Sequence, residues 1–321
     1  MVALKPHPEF TALRNSLVAP LVEGFTHFQV YTFFQFLQIT MIPSSLLLIA
    51  LSFFSTNASA SGSVITVGAK RAITPLPTNG KFDYQIGGAY TPASDVKVVT
   101  RDRTDSPVSG KYNICYVNAF QSQPDEASFW QTPERDHLLL RAKDGSYFID
   151  PDWPDEFLLD TSTSSNRAEL STIINGWISE CQSKGFNAIE ADNLDTYSRS
   201  NGLLTVDNNL ELAKLLTAHA HEIGLAFGQK NSGSIAAQAK SEAEFDFAVV
   251  EQCEEFEECD VYEKVYGDAM LEIEYFNEDL DKDGLTNWED ACRERGSRIS
   301  VIFRDVEVVK KGEKDYVYQE C

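Results

Sequence analysis

Gly185-Phe186-Asn187-Ala188-Ile189-Glu190-Ala191-Asp192-Asn193-Leu194-Asp195 reads as a helix stop, a short buried strand and a polar strand end. The run Arg167–Lys184 before it has helical patterning, and glycine just past a helix is the usual stop signal. The pattern then repeats. Leu210–Ile223 is helix-like, Gly224 closes it, and Leu225–Gly228 is the next strand candidate, ending in Gln229-Lys230-Asn231. Strands that alternate with helices imply a parallel sheet with helical crossovers.

Working outward, the same kind of short apolar run recurs at Phe82–Ile86, Val96–Thr100, Tyr112–Val117, Phe245–Val250, Met270–Ile273 and Ile299–Phe303. With Asn187–Ala191 and Leu225–Gly228 these make eight candidates, most rich in Val, Ile, Phe or Tyr. Eight strands match a closed α/β barrel of the (β/α)8 TIM type, which takes about 250 residues. An open doubly wound sheet is the rival. It is disfavoured because no G-x-G-x-x-G or P-loop follows the first strand. The expected organisation is one barrel domain over 80–321, without a second domain or an internal repeat.

The residues before it read as targeting sequence. From Met41 the chain runs MIPSSLLLIALSFFSTNASASG, with an apolar stretch from Leu46 to Phe54 and Ala58-Ser59-Ala60 as a cleavage site. That is the layout of a signal peptide over 41–60, and the apolar stretch is too short to span a bilayer. Residues 1–40 are expected to be an upstream extension outside the fold, and 61–79 a linker. The sequence therefore predicts a secreted protein of the extracellular space or cell wall, with no stable membrane insertion of the mature chain. The alternative is a signal anchor over Tyr31–Phe54, interrupted by Gln35, Gln38 and Pro43. The N-glycan acceptor Asn57-Ala58-Ser59 would leave with the signal.

The chain of 321 residues carries a net charge of −22. Lys5 and Arg14 balance Glu9 and Glu23, so the excess lies beyond residue 60. Such a surface repels nucleic acid and anionic membrane and attracts cationic ligands. It serves solubility equally well. A monomer is expected.

Polar residues gather where the strand candidates end. Asp83 and Tyr84 end the first, Asp192 the fourth, Lys230 and Asn231 the fifth, Glu251 the sixth, and Glu274 and Tyr275 the seventh. In a parallel barrel these ends share the face that holds the active site. Asp83, Asp192, Glu251 and Glu274 are therefore expected to crowd together. The histidines are His7, His27, His137, His219 and His221. None falls at a strand end, which weakens a transition-metal site there, though an all-oxygen magnesium site stays open. Paired carboxylates without histidine suit an oxocarbenium-like transition state, which wants a proton donor on one side and negative charge on the other. Tyr84, Tyr116, Trp153, Tyr197 and Tyr275 are candidates to stack on sugar rings, or else core residues under loops. Any one acid alone reads as readily as a cap or ion-pair partner; the case rests on several at once.

Six cysteines follow the export signal, an even number that suggests disulfides. Cys253 and Cys259 can bridge a short loop, and Cys292 and Cys321 can tie the C-terminus to the last helical run. Cys115 and Cys181, in a strand-like and a helix-like run, read as plain buried thiols.

Taken together, Phe82-Asp83-Tyr84-Gln85, Ile114-Cys115-Tyr116, Trp153-Pro154-Asp155-Glu156, Glu190-Ala191-Asp192-Asn193-Leu194-Asp195, Lys230-Asn231, Glu251-Gln252-Cys253 with Cys259, and Ile273-Glu274-Tyr275 resemble the endo-α-1,4-polygalactosaminidase family, glycoside hydrolase family 114. The order is the same over residues 80–275. The resemblance implies a (β/α)8 barrel that cleaves α-1,4-linked galactosamine polymers internally. It places catalysis on Asp192 and Glu251. A retaining mechanism would make Asp192 the nucleophile and Glu251 the acid/base, about 5–5.5 Å apart. Asp83, Tyr84, Tyr116, Trp153, Glu156, Asn193, Asp195, Tyr197, Lys230, Asn231, Gln252, Glu274 and Tyr275 would make up the sugar-binding surface. The partner implied is a cationic, partly deacetylated galactosamine polysaccharide. Another sugar specificity, a catalytically silent cell-surface polysaccharide-binding protein, and a metal-dependent hydrolase are the alternatives.

The sequence departs from the family in reading Gly185-Phe186-Asn187-Ala188 for G-F-D-G and Trp153-Pro154-Asp155-Glu156 for W-P-G-E. It also carries an insertion, Asn277–Asp290. There Asp279, Asp281 and Asp283 before Gly284, with Asp290 at the twelfth position, echo a calcium loop. An acidic solvated loop is the alternative reading. No cofactor is expected to be required for catalysis, so calcium would be structural.

Overall fold

The computed structural model describes residues 72–276 and 283–321. The expected upstream extension, the signal peptide and the first part of the linker lie outside the described residues. Nine strands form one sheet in chain order: β1 Phe82–Gln85, β2 Val98–Asp102, β3 Tyr112–Asn118, β4 Ala188–Asp192, β5 Ala226–Lys230, β6 Phe247–Glu251, β7 Met270–Phe276, β8 Ser300–Asp305 and β9 Tyr318–Glu320. From β1 to β8 every neighbouring pair is parallel. The main helices are α1 Ser164–Lys184, α2 Val206–Ile223, α3 Ala236–Glu242, α4 Cys259–Tyr266 and α5 Asp283–Glu294. This is the expected (β/α)8-type barrel, and all eight strand candidates fall on its eight parallel strands.

The helix ends follow from local chemistry. The Thr163 hydroxyl accepts from the Asn166 N–H to start α1, and Thr205 and Asn208 form a capping box at α2. Gly185 and Gly224 end these helices with φ of 99° and 86°, a region closed to most side chains. Among the described residues, β1–β2 and β2–β3 are joined by segments without a helix. The longest excursion, residues 119–163 between β3 and α1, forms small antiparallel bridges such as Gln121 with Leu158 and Ile149 with Phe157. It carries Trp153 and Glu156.

Alternate residues of each strand face the barrel interior. Phe82, Val98, Tyr112, Ile114, Ala188, Ala226, Phe247, Val249, Leu271, Ile273 and Ile302 form that apolar plug. Gly228 makes room for it: a Cβ there would lie 2.5 Å from the Phe247 ring. At the N-terminal end Leu76 is buried in the same cluster and the Tyr112 hydroxyl donates to the Thr74 carbonyl at 3.0 Å. Residues 72–79 of the expected linker thus stop up the barrel floor.

The seam of the barrel differs from a simple eight-strand closure. No ladder joins β8 to β1; β9 instead pairs antiparallel with the free edge of β8. The Tyr318 hydroxyl reaches the Phe82 carbonyl at 2.7 Å, and the fully buried Arg304 of β8 donates to the carbonyls of Tyr84, Val309 and Val317. Among the described residues no helix is long and apolar enough to cross a membrane.

All six cysteines are paired. Cys253–Cys259 and Cys292–Cys321 form as the spacing suggests. The reading of Cys115 and Cys181 as free thiols is corrected: they too form a disulfide, with Cα atoms 6.2 Å apart. Cys115 lies on the outward face of β3 and Cys181 on the inward face of α1, and both are fully buried. Periodicity gave each its burial but could not show that the two faces meet.

Because Cys321 pins β9 over the seam, replacing Cys292 and Cys321 together by serine should cost about 3.6 kcal/mol of stability, the loop-entropy value for a bridge of this span. Urea unfolding checks this. An unchanged midpoint would mean that the seam holds without the bridge.

Candidate active site

The site is built at the C-terminal ends of β4, β5 and β6, and the same backbone device appears at each. Each strand ends on a charged residue, Asp192, Lys230 or Glu251. The next residue has a left-handed backbone: Asn193 at φ 65°, Asn231 at 47° and Gln252 at 55°. Such a turn costs a residue with a Cβ about 1–2 kcal/mol unless local hydrogen bonds offset it. Here they do. The Asn193 N–H donates to Asp192 Oδ1 at 2.8 Å. The Asn231 amide donates to Glu251 Oε2 and accepts from the Glu251 N–H, both at 2.9 Å. The Gln252 amide donates to Glu255 Oε2 at 2.6 Å. The sharp turns leave the three charged side chains pointing into the barrel mouth.

Lys230 is the hub. Its Nζ lies 2.9 Å from Glu251 Oε2, 3.6 Å from Asp192 Oδ1 and 3.8 Å from Glu190 Oε1. Burial pushes its pKa down, but the carboxylates of Asp192, Glu251 and Glu190 outweigh that and hold it above the usual lysine value. The ammonium is therefore a fixed charge at any working pH. Burial pushes Glu251 up. Lys230 and the hydrogen bonds from Tyr275 and Asn231 outweigh it, so its carboxyl lies below the usual range. Three phenols complete the wall. Tyr116 donates to Asp192 Oδ2 at 2.6 Å, Tyr84 to Glu190 Oε1 at 2.7 Å, and Tyr275 to Glu251 Oε1. Burial holds all three phenols well above their usual pKa, so they stay protonated donors.

Further polar contacts hold Asn193, and through its N–H Asp192, from the side. Asn193 donates to Asn118 Oδ1 at 2.8 Å, and Asn118 and Gln121 both donate to Glu156 Oε2, at 3.4 Å and 2.7 Å. Burial pushes the Glu156 carboxyl up to about 7. The buried Arg199 donates to Asn193 Oδ1, Asp195 Oδ1, Asp150 Oδ2 and Gln121 Oε1. Asp150 also accepts from the Trp153 N–H at 3.2 Å, so this arginine ties the excursion loop to the strand end. Trp153 itself is 46% exposed. Tyr197 lies 3.4 Å from the Ser234 hydroxyl, hydroxyl to hydroxyl.

Two expected members of the mouth lie elsewhere. Asp83 and Glu274 do not crowd against Asp192 and Glu251. Both sit on the outward-facing register of their strands, where alternation puts them opposite Tyr84 and Tyr275. Asp83 is buried and accepts from Gln85 Nε2 at 2.9 Å and from the Tyr90 hydroxyl. Glu274 accepts from the Glu254 N–H at 3.1 Å, and burial beside Glu272 drives its pKa well up. In the proposed calcium loop, residues 277–282 and the Asp283 side chain lie outside the described residues. Asp290 pairs with Arg293 at 2.5 Å. Sequence reasoning did not single out Glu190, Asn118, Gln121 or Arg199. Glu190 was legible in principle, since it shares the inward period of Asp192.

A nearly closed parallel barrel that brings two carboxylates together at its mouth suits glycoside hydrolysis. The family comparison agrees: residues 64–321 match the model of glycoside-hydrolase family GH114, and the chain belongs to that family. No curated protein matches the sequence significantly. Among solved structures it is similar to Aspergillus fumigatus Ega3 in complex with galactosamine, at 22% identity and a TM-score of 0.58, covering 81% of this chain and 100% of that one. It is also matched by the glycoside hydrolase domain of PelA from Pseudomonas aeruginosa, at 13% identity and a TM-score of 0.46, covering 73% of this chain and 96% of that one. The likeness to Ega3 shows a shared fold.

Lys230→Met leaves carboxylates without their cation, a loss of about 3–5 kcal/mol for a broken buried pair. The deficit should be largest near pH 7, where Glu251 is ionised in the parent. Its depressed pKa gives stability that is present above the usual carboxylate range and is lost as pH falls through its lowered value. Thermal unfolding of parent and variant at pH 7 and pH 4 checks this; a gap that widened on acidification would contradict it.

Proposed function

We propose that the protein is a secreted, endo-acting hydrolase of α-1,4-linked galactosamine polymers, working by a retaining two-carboxylate mechanism. The observation that carries the reading is the shared lysine. Lys230 contacts Asp192 Oδ1 at 3.6 Å and Glu251 Oε2 at 2.9 Å, so these oxygens are no more than about 6.5 Å apart. Retaining enzymes separate their carboxyl groups by about 5–5.5 Å, inverting ones by about 6.5–9.5 Å. The bound of about 6.5 Å, set on the two oxygens that share Lys230, admits the retaining spacing.

In this reading Asp192 attacks the anomeric carbon and Glu251 protonates the departing glycosidic oxygen. Tyr116 and the Asn193 N–H hold the Asp192 carboxylate so that one lone pair is aimed at the sugar. Water, deprotonated by Glu251, then releases the glycosyl group from Asp192. Because its neighbours favour ionised Glu251, the fraction that carries the needed proton grows as pH falls.

Glu156, Asn193, Tyr116, Trp153, Tyr197, Asn231 and Tyr275 are proposed to line the sugar path; Tyr84, expected there from the sequence, is fully buried against Glu190 and lies beneath it. Asp83 and Glu274 act from behind the wall. No cofactor is needed, since side chains supply both the nucleophile and the proton. A calcium ion in the 277–290 insertion would be structural. The six paired cysteines and the signal-like segment support export. The net charge of −22 supports a cationic, partly deacetylated polymer, which the protein would draw in over a Debye length of about 8–10 Å.

Incubation of residues 61–321 with partly deacetylated α-1,4-galactosaminan should release oligosaccharides. Glu251→Gln should lower kcat by about 10²- to 10⁴-fold, and Asp192→Asn by at least as much. Full activity in either variant would remove that residue from the pair. Hydrolysis should weaken as salt rises from low to high ionic strength; a salt-independent rate would argue against electrostatic recruitment.

A further inference from the structure

Glu190 is the third carboxylate around Lys230, and the mechanism above does not use it. It lies two residues before Asp192 on the same inward face of β4 and is fully buried. Its Oε1 accepts from the Tyr84 hydroxyl at 2.7 Å and stands 3.8 Å from Lys230 Nζ, beyond hydrogen-bond range. Its Oε2 is buried with no hydrogen-bond partner among the described residues. Its neighbours are better served. Glu251 takes donors from Lys230, Asn231 and Tyr275, and Asp192 from Tyr116 and the Asn193 N–H.

One ammonium cannot neutralise three carboxylates, and an uncompensated charge is costliest on Glu190, the one that is fully buried while Asp192 and Glu251 keep some exposure. An ionised carboxylate also offers about four acceptor sites that want donors. Glu190 has one filled. A proton is therefore held most cheaply on Glu190. We propose that Glu190 is protonated in the resting enzyme and acts as a positioning residue: being neutral, it leaves the Lys230 ammonium to Asp192 and Glu251 instead of drawing it down into the barrel.

The groups that face it from the surrounding strands fit this assignment. Tyr84 of β1, Tyr116 of β3 and Tyr275 of β7 are neutral phenols, and Thr100 of β2 is uncharged. Asp192 on its own strand and Glu251 of β6 oppose its ionisation, and Lys230 of β5 favours it. On β8 the Arg304 guanidinium is committed to backbone carbonyls and Asp305. Burial, helped by Asp192 and Glu251 and resisted by Lys230 and the Tyr84 hydrogen bond, pushes the Glu190 carboxyl up to about 8.

The benefit to Asp192 and Glu251 rests on their roles as proposed above, but the proton itself can be tested without any substrate. A carboxyl whose folded pKa is raised binds a proton more tightly when folded, so the parent should lose stability as pH rises from 5 towards 8. Glu190→Gln lacks that proton, so its Tm should rise relative to the parent across the same interval. A constant or shrinking difference, as an ionised Glu190 paired with Lys230 would give, overturns the proposal. Infrared difference spectra at pH 6 should show a protonated-carboxyl band in the parent that is missing in Glu190→Gln. Should that variant fail to fold, Tyr84→Phe removes the hydrogen bond at Oε1 and should shift the same band. No shift in a folded Tyr84→Phe protein would overturn the assignment.

Discussion

A single buried ammonium, that of Lys230, is the constraint on which the mouth of this barrel depends. Asp192 and Glu251 come from strands on either side of β5, and at such close range two carboxylates repel. Lys230 rises between them and turns the repulsion into a shared ion pair. The gain is large because the side chain is buried, where charges interact more strongly than in water. The same burial makes the cluster unforgiving. Charges in it call for another charge or a donor, which is why three phenols, the Asn231 amide and the Asn193 backbone N–H point at the carboxylates.

The backbone is shaped to serve that cluster. Asn193, Asn231 and Gln252 all adopt left-handed conformations immediately after the charged residue of their strand. Strain of this kind persists when surrounding contacts over-determine it. Arg199 does this for Asn193, and Asn231 does it for itself by bonding Glu251 on the neighbouring strand. Farther out, the disulfide Cys253–Cys259 fixes the segment that follows Glu251, and Cys115–Cys181 clamps β3 to α1. The catalytic end thus rests on a scaffold with little freedom to shift.

Much of this was legible in the sequence. Eight short apolar runs and two helix-stop glycines were enough for the barrel, because strand period and helix stops are local properties. The strand-end residues Asp192, Lys230 and Glu251 were legible as well, since parallel topology forces such ends together. Three things were not. The side of the sheet on which Asp83 and Glu274 lie depends on register, and one residue of difference reverses it. The Cys115–Cys181 bridge depends on two surfaces meeting at a distance in sequence. Strand β9, only three residues long, exists because β8 leaves an open edge beside β1, a tertiary fact that propensity does not carry.

The acidic surface and the acidic site act in the same direction. A net charge of −22 would draw in the cationic polymer proposed as substrate, and the charge of the carboxylates at the mouth is partly balanced by Lys230. In the mechanism we propose, Asp192 forms the covalent bond while Glu251 moves the proton. A fluorinated galactosaminyl donor that stalls the second step tests it directly when the digested enzyme is read by mass spectrometry. One added sugar is expected on the peptide that contains Asp192. A sugar on Glu251 instead, or no adduct together with a product of inverted anomeric configuration, would contradict it.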